Sequence, residues 1–396
     1  MNEVYVLDYV RTARGRGSST GGLHQLSALD LVTGLQRALV ERGGFDPGMV
    51  EDVVVGCASQ VGDQGGNIAR TATLLAGWGD HVPGITVNRF CASGIDAVAQ
   101  VAARIKVGEL GLAVAGGVES VSRVPMYSDR APLWTDAEVV ARTGSVHMGI
   151  AADLNATIDG FSRDDLDGYA LESHHKAAAA WRAEAFARSL IPLGGLARDE
   201  LVRPRTTRTT LAALPAAFAA IGADGQDELA LSSRAWPSRI EHRHTVATSP
   251  AVADGAALLL IGDARAARRL GITPRARLVT SAVVAHDPVT MLTAGQAAMS
   301  AAMRRASVLP GEVSVFQFAE AFAALCLRLR RDFDAGPERL NPSGGTIAAG
   351  HAFGATGAIM VGDCVEELER RSGRIGVAGV SGAAGLGVGM VVDRSM

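Results

Sequence analysis

The sequence predicts an α/β fold built from two copies of one unit. The heptapeptide NRFCASG at residues 88–94 recurs in outline as HAFGATG at residues 351–357, an offset of 351 − 88 = 263 residues. The same offset joins two PG dipeptides, at 47–48 and 310–311, and two VAG tripeptides, at 114–116 and 377–379. One offset that holds at three separate places indicates an internal duplication. Short apolar segments alternate with helical patterns in each copy, which favours a parallel sheet with helices on its faces.

The first copy contains predicted strands in four short apolar runs, at residues 4–10, 53–55, 84–88 and 112–115. A helix is predicted over residues 26–42, because apolar residues such as Val32, Leu35 and Leu39 recur there at helical spacing. The Asp-Pro-Gly turn that starts at Asp46 ends it. A second helix begins at Ser93, directly behind the heptapeptide.

The second copy repeats this order, with strands at residues 277–284, 313–318 and 374–380 and a helix at 295–306. The residues between the copies differ in character: a charged helix is predicted at 162–185, followed by irregular segments at 203–208 and 232–244. We interpret this region as an inserted lid or cofactor-facing subdomain. The predicted domains are an N-terminal half at 1–119 completed by about 246–272, an inserted loop domain at 120–245, and a C-terminal half at 273–396.

Composition excludes several classes of protein. With 48% hydrophobic and 20% charged residues, the chain is able to bury a large core, and a net charge of −3 gives no electrostatic footprint for nucleic acid. The four cysteines show no CxxC spacing and are too few for a disulfide framework, which favours a reducing compartment. No apolar run is long enough to span a membrane, and Asp8 interrupts the N-terminal apolar stretch. We expect a cytoplasmic protein that binds neither nucleic acid nor a membrane.

Cys91 is the candidate nucleophile of the first heptapeptide. It lies after a predicted strand and two residues before a predicted helix, whose N-terminus would favour a thiolate, as would a nearby imidazole. Such a cysteine is suited to accept an acyl group. The alternative is a small buried hydrophobic residue, which is what most free cysteines are. We keep that interpretation for Cys57, Cys326 and Cys364.

His351 is the candidate base of the second heptapeptide. Glycines on both sides allow the backbone to turn sharply near a substrate. A histidine at this position can accept the cysteine proton and donate a hydrogen bond to a developing oxyanion. A lone histidine is more often structural or exposed, but the position equivalent to Asn88 of the other copy favours a functional role. No Cys/His cluster suggests a metal site, and the glycine-rich segment 381–389 is not a dinucleotide fingerprint.

These motifs resemble those of the thiolase family over nearly the whole chain. VNRFCASG at residues 87–94 is similar to the family's nucleophile motif, and GGVES at 116–120 is similar to its Gly-Gly-Met-Glu-Ser signature. NPSGG at 341–345, followed by residues 350–357, is similar to its Gly-His-Pro-x-Gly-x-Thr-Gly motif. The segments 4–14 and 67–70 also fit.

The resemblance implies a five-layered αβαβα fold of two similar halves with mixed sheets plus an inserted loop domain, assembled as a homodimer or homotetramer. It implies coenzyme A as substrate and product, without a permanently bound cofactor. Cys91 would be acylated, His351 would activate it, and the backbone amides of Cys91 and Ala383 would form an oxyanion hole. The residues implied to line the acyl-pantetheine path are His147, Met148, Ala321 and Phe322.

The chain departs from the family pattern at positions that bear on the second half of the reaction. Ala319, beside Glu320 at the site, replaces an asparagine that holds a water in an oxyanion hole, and losing one such donor costs roughly 10²–10³ in rate. Ser381 stands at the position of the second cysteine, the general acid/base, and a hydroxyl is a poorer proton carrier than a thiol. Ala352 replaces a proline, and Pro250 lies where a serine that contacts CoA is expected.

The sequence thus predicts a thiolase-type acyltransferase that cleaves 3-oxoacyl-CoA with CoA, or runs the reverse condensation, through an acyl-cysteine. The departures at Ala319 and Ser381 leave open whether its second step is altered. One alternative is a biosynthetic acyltransferase that passes the acyl group to an acceptor other than CoA. Another is a non-catalytic thiolase-fold subunit that binds CoA or serves as a scaffold for a partner protein. Retention of both Cys91 and His351 weighs against the second alternative.

Overall fold

The fold is described by a computed structural model for residues 1–232 and 237–395. The strands are β1 (Tyr5–Arg11), β2 (Gly15–Arg16), β3 (Val53–Gly56), β4 (Gly84–Val87), β5 (Leu112–Ser120), β6 (Ala253–Gly262), β7 (Ala276–Ala285), β8 (Val313–Phe318), β9 (Ile375–Ser381) and β10 (Leu386–Asp393). The helices are α1 (Ala28–Gly43), α2 (Ile68–Leu75), α3 (Ser93–Lys106), α4 (Pro132–Thr135), α5 (Ala137–Thr143), α6 (Met148–Asp159), α7 (Arg163–Arg182), α8 (Arg208–Ala212), α9 (Ala219–Ile221), α10 (Asp227–Leu231), α11 (Ala264–Leu270), α12 (Ala294–Ala306), α13 (Ala323–Phe333), α14 (Thr346–Ala349) and α15 (Phe353–Arg370).

The strands follow the order β4-β3-β5-β6-β1-β7-β10-β9-β8, with β2 paired to β6. The N-terminal half provides β4-β3-β5-β6-β1 and the C-terminal half β7-β10-β9-β8, and within the sheet the two are joined by a short antiparallel pairing of β1 with β7. Each half mixes parallel pairs, such as β3 with β5 and β8 with β9, with antiparallel pairs, such as β5 with β6 and β9 with β10. The structure therefore confirms two similar halves with mixed sheets.

In each half, successive side chains of a strand point alternately into an inner core and an outer core. In β3, Val54 faces the inner core, where α3 and α15 lie between the sheets of the two halves, while Val53 and Val55 face α1 and α2. In β8, Val315 faces the inner core and Phe316 faces α12 and α13. This alternation is the period-2 pattern of a strand covered on both faces. Helix, sheet, paired helices, sheet and helix form the five layers that the family resemblance implied.

The offset of 263 residues also holds for structural elements. The 3₁₀ turn at Pro47–Met49 corresponds to the turn at Pro310–Glu312, and β5 and β9 begin at equivalent positions. α3 and α15 pack closely because Gly94 and Gly357, which are equivalent, each lie against the backbone of the other helix. A Cβ atom at Gly94 would lie 2.5 Å from the Gly354 carbonyl oxygen, and one at Gly357 would lie 2.4 Å from the Ile95 nitrogen.

Two long strands, β6 and β10, and the two-residue β2 were not predicted as such from the sequence. β6 is buried at every position and is apolar apart from Asp254, so it lacks the alternation that identifies a strand. β10 lies largely within the glycine-rich tail, where a Cβ atom at Gly387 would lie 2.2 Å from the Ala294 carbonyl oxygen. The glycines thus allow α12 to pack closely on β10. The glycine-rich tail therefore forms a strand of the sheet in addition to the close packing.

The residues between β5 and β6 form the helices α4 to α10. Most of these are short, and α6 and α7 are the longest. α7 matches the charged helix predicted at 162–185, and its Ser162 cap is a capping box with Asp165. Of the irregular segment predicted at 232–244, residues 233–236 lie outside the described residues. Within the described ranges, no helix combines the length and apolar character needed to cross a membrane.

Candidate active site

Cys91 lies in a tight turn between β4 and α3. The side chain of Asn88 accepts a hydrogen bond from the Phe90 amide at 2.7 Å, and the Ser93 hydroxyl accepts one from the Arg89 amide at 2.8 Å. Phe90 adopts φ = 50°, a left-handed conformation that is strained for a bulky residue. These bonds hold the half-buried Cys91 in one position at the start of the helix.

His351 is fixed by its backbone and by one ring nitrogen. Its amide donates to the Ala251 carbonyl at 2.8 Å, and its carbonyl accepts from the Ala253 amide at 3.1 Å. Its Nδ1 lies 2.8 Å from the hydroxyl of Thr356, the residue equivalent to Ser93. When Nδ1 donates its proton to this hydroxyl, Nε2 is left as a proton acceptor.

The two groups are both neutral in the resting site. Burial, followed by the charge of Glu119, raises the pKa of the Cys91 thiol to about 12. This is opposite to the expected thiolate, because the cost of burying the charge exceeds the effect of the helix N-terminus. Burial and the nearby Arg14 lower the pKa of His351 to about 4, so its imidazole is unprotonated at neutral pH. Neither group therefore carries a charge at neutral pH.

Glu119 connects the two halves beside the nucleophile, and it was not among the predicted site residues. Its fully buried carboxylate accepts hydrogen bonds from the amides of Ala58 at 2.9 Å and Gly354 at 2.9 Å, and from Gln64 Nε2 at 2.7 Å. Burial raises its pKa in spite of these donors. Gly354 is the residue equivalent to Cys91, so Glu119 joins the second tip to the Ala58 loop of the N-terminal half. In the sequence, the sign of a special role for Glu119 was a charged residue next to an apolar strand. The structure shows that this strand is buried at every position.

Cys91 opens into a narrow cavity, the Cys91 cavity, of about 50 Å³. Its walls include Ala58, Ser59, Phe90, Met126, Tyr127, Asp129, Trp134, Met148, Phe353 and Ala383. The Phe353 ring also lies edge-on to the His351 ring, with centroids 5.1 Å apart, and so connects the imidazole with this cavity. Ala383 and Met148 therefore lie with Cys91, as the predicted site requires.

A groove of about 820 Å³ continues from the Cys91 cavity, and the two share Tyr127, Trp134, Met148 and Ala383. His147 also lines the groove. A cavity of about 940 Å³ elsewhere, whose walls include Arg188, Arg275 and Glu369, shares no residue with either of them. The groove, and not the separate cavity of about 940 Å³, is thus the space that leads to the candidate nucleophile.

A chain of aromatic rings supports the wall of the groove. The His147 and Phe218 rings lie 5.6 Å apart, and those of Phe218 and Phe322 lie 5.8 Å apart. His147 Nδ1 accepts the Gly149 amide at 3.1 Å, and burial lowers its pKa, so the imidazole is neutral and caps α6. Phe322 therefore contacts the groove residue His147 only through Phe218, and neither Phe322 nor half-buried Ala321 is among the walls of the Cys91 cavity or the groove.

Ala319 and Glu320 are both buried where β8 ends. The Ala319 amide donates to the Gly379 carbonyl at 3.0 Å, and its methyl group offers no polar atom. The Glu320 carboxylate points into the protein, where it accepts hydrogen bonds from four groups, those of Tyr169, Ser173, Asn341 and Ile347. Through these hydrogen bonds, Glu320 holds α7 and the 341–347 segment against the C-terminal half.

The Ser381 hydroxyl is fully engaged by the main chain. It donates to the Leu292 carbonyl at 2.6 Å and accepts from the Gly295 amide at 3.0 Å, and the residue is 3% exposed. This geometry fits a hydroxyl that caps α12, since its proton is already committed to a carbonyl. Among the described residues, no group of three or more His, Cys, Asp or Glu side chains is arranged to hold a metal ion.

Comparison with known proteins identifies the family. The thiolase N-terminal domain model matches residues 4–224, and the thiolase C-terminal domain model matches residues 272–394. Two curated relatives, each named 3-ketoacyl-CoA thiolase, come from Klebsiella pneumoniae and an Enterobacter species. They are 34% and 33% identical, and each alignment covers 100% of both chains.

A solved structure gives the same result. The human mitochondrial 3-ketoacyl-CoA thiolase in complex with CoA superimposes with a TM-score of 0.86 at 26% identity, over 100% of this chain and 98% of that one. Both family models, the full-length relatives and the structural match agree on the family. The chain belongs to the thiolase family.

Proposed function

We propose that the protein is a thiolase-type acyltransferase that forms an acyl-thioester on Cys91 and exchanges that acyl group with coenzyme A. The reaction is the cleavage of a 3-oxoacyl-CoA by CoA, or the reverse condensation. The observation that carries this proposal is the position of Cys91 in a narrow cavity that opens into a groove and is joined to His351 through Phe353. A non-catalytic scaffold requires neither residue at these positions.

The first step uses the neutral Cys91–His351 pair. As the sulfur attacks the 3-oxo carbon, the thiol proton passes to Nε2 of His351, whose other nitrogen is held by Thr356. The C2–C3 bond then breaks, its electrons remain on C2, and the acyl group stays on the sulfur. The backbone amides of Cys91 and Ala383 are the proposed donors to the oxyanion on the reacting carbon.

The groove supports coenzyme A as substrate and product. Its volume of about 820 Å³ is in the range of small-molecule sites, roughly 300–1,000 Å³. His147 and Met148 line it, and Phe322 supports the ring beside them. We propose no permanently bound cofactor, because each proton and acyl transfer is assigned to a side chain or to CoA.

The second step needs a proton for C2 of the departing acetyl-CoA. In the family the second cysteine supplies it, but Ser381 already donates its proton to the Leu292 carbonyl. Ala319 also lacks the amide that would hold a water. We propose that His351 returns the proton it took from Cys91, so that one base serves both steps, and that carbon–carbon bond cleavage is slower than acyl exchange.

We also propose a homodimer in the cytoplasm. β4 is an edge strand, and Leu74, Leu75 and Ile85 beside and on it are 47%, 55% and 47% exposed. An apolar edge of this kind is suited to pair with the same strand of a second copy. Four free thiols fit a reducing compartment. The proposed domains remain 1–119 with 246–272, 120–245, and 273–396.

Two measurements test the function. Intact-mass analysis after incubation with acetyl-CoA should show a 1:1 acetyl adduct that Cys91→Ala abolishes. Loss of acetoacetyl-CoA absorbance should depend on added CoA. An unmodified protein, under conditions that acylate a control thiolase, would contradict the proposal. Acylation without CoA-dependent cleavage would instead favour transfer to a different acceptor.

A further inference from the structure

His242 bridges two carboxylates behind the wall of the groove. Its Nδ1 lies 3.0 Å from the Asp153 carboxylate of α6, and its Nε2 lies 3.0 Å from the Asp227 carboxylate at the start of α10. The Asp153 side chain is fully buried, and that of His242 is 14% exposed. An ionised carboxylate accepts hydrogen bonds and does not donate them, so both ring nitrogens must carry a proton for both bonds to form. The bridge therefore requires an imidazolium.

The surroundings of His242 favour this charged form. Partial burial lowers the pKa of His242, but the hydrogen bonds to the two carboxylates and their charges raise it by more, so the net shift is upward. Glu241 and Arg243, its neighbours in the chain, form an ion pair with each other. His244 also binds Asp153, through its Nδ1 at 2.8 Å. His242 therefore keeps its ring proton at pH values where a free histidine loses it.

Asp227 connects His242 to the wall of the groove. It directly follows the turn Gly222–Gln226, whose last residue lines the groove. The side chain of that residue, Gln226, accepts a hydrogen bond from the amide of His147, another wall residue, at 2.8 Å. A shift of Asp227 would therefore move Gln226 and the wall around His147.

The turn also packs directly on the bridge. A Cβ atom at Gly222 would lie 2.6 Å from His242 Nε2 and 2.6 Å from Asp227 Oδ1. A neutral imidazole donates only one hydrogen bond, so it can hold only one of the two carboxylates. Asp153 also accepts bonds from the amide and Nδ1 of His244, at 2.9 and 2.8 Å. Asp227 Oδ1 is buried without a hydrogen-bond partner among the residues that the structure describes. Loss of the ring proton therefore releases Asp227 and the turn.

We propose that His242 is a positioning residue for coenzyme A: its imidazolium holds the turn Gly222–Gln226 against α6, and loss of the ring proton releases this part of the groove wall and weakens CoA binding. The affinity for CoA is then highest below the pKa of the folded His242, which lies above the ordinary value near 6.5, and falls as pH rises through it. This inference rests on the proposed function, since it takes the groove as the path of CoA.

The test measures CoA binding by isothermal titration calorimetry at about pH 6 and about pH 9, in the native protein and in His242→Gln. The glutamine cannot carry the charge, so at about pH 6 the variant should bind CoA at least about 5-fold more weakly, because its competent wall is less populated. At about pH 9 the native ring is neutral too, and the two affinities should agree within about 2-fold. Ionisation of CoA itself is common to both proteins and cancels in this comparison.

His175→Gln is the matched control, because His175 is an exposed histidine of α7 that lines neither the Cys91 cavity nor the groove. It should bind CoA as the native protein does at both pH values. Asp227→Asn provides a second variant: it removes one carboxylate from the bridge, so the decline in CoA affinity should move to lower pH.

The outcomes separate the inference from the proposed function. Equal affinities of the native protein and a folded His242→Gln variant at about pH 6 would overturn the inference alone. The same deficit at both pH values would also overturn it, because a purely structural role does not depend on the ring proton. Absence of CoA binding by the native protein at both pH values would contradict the inference and the proposed function together.

Discussion

The two tips of the duplicated unit share a framework and differ in chemistry. In each, a hydroxyl at the equivalent position holds the turn, Ser93 through the Arg89 amide and Thr356 through His351 Nδ1. The first tip has Cys91 where the second has Gly354, and the second has His351 where the first has Asn88. Duplication thus supplies two rigid turns, and single-residue differences place a thiol, the proposed nucleophile, on one and an imidazole, the proposed base, on the other.

Burial acts on both tips in the direction that favours neutral groups. It raises the pKa of Cys91 and lowers that of His351, so neither is charged at pH 7. Each group is then a poor reagent alone, and the proposed function requires that together they exchange one proton.

Cys91→Ala should have the largest effect. Removal of the nucleophile is expected to lower turnover by at least about 10⁴-fold, as for nucleophiles of other covalent enzymes. CoA-dependent cleavage of acetoacetyl-CoA measures it. Cys364→Ala removes a buried thiol that does not line the Cys91 cavity and should keep nearly full activity. Comparable losses in the two variants would remove the distinction between Cys91 and a structural cysteine.

His351→Asn gives the second tip the residue that the first has at Asn88. Without a base, acylation of Cys91 should slow by about 10²–10⁴-fold. In the native enzyme, kcat/KM should stay level down to about pH 5 and decline as His351 is protonated near pH 4. A decline centred near pH 6.5 would contradict the assigned environment of this imidazole.

The same pKa affects stability. The unfolded imidazole takes its proton near pH 6.5, whereas the folded one takes it only near pH 4. The unfolded state therefore binds more protons between these values, and the free energy of unfolding falls as pH decreases from about 6.5 to about 4. His351→Asn should reduce this pH dependence in denaturant titrations, provided that other groups are unchanged.

The duplication, the main strands and both tips were predictable because they leave repeated, local marks in the sequence. The contacts that set the chemistry were not, because they join distant segments. Glu119 meets Gly354 across the two halves, and Trp134 lines the Cys91 cavity from the inserted region. The pKa of Cys91 was expected to fall because the helix is visible in the sequence, whereas the depth of burial is not.

Gly94→Ala and Gly357→Ala test the framework that the tips share. Each added methyl group would meet backbone atoms of the opposite helix at about 2.5 Å. The helices must then move apart, and each variant should lose about 1–3 kcal/mol of unfolding free energy. Equilibrium denaturation measures the change, and similar losses would support equivalent roles for the two glycines.

Gly311→Ala is the control, because a Cβ atom there meets no atom within 4 Å. This variant should be neutral, or more stable by roughly 0.4–1 kcal/mol, since alanine restricts the unfolded chain. If it loses as much stability as the other two, the close packing of α3 on α15 is not the cause.

Ser381→Cys combined with Ala319→Asn should have the smallest effect, an increase of about 10-fold in CoA-dependent cleavage. The thiol restores a proton carrier with a pKa of about 8.5, and the amide restores a donor worth roughly 10²–10³ in rate. Part of this gain is lost because Ala319 is buried, so a larger side chain must displace its neighbours. Each single variant is a control, and acetylation of Cys91 by acetyl-CoA should change little in all three because that transfer makes and breaks no carbon–carbon bond. If the folded double variant cleaves acetoacetyl-CoA no faster than the native protein, Ser381 and Ala319 do not limit the second step.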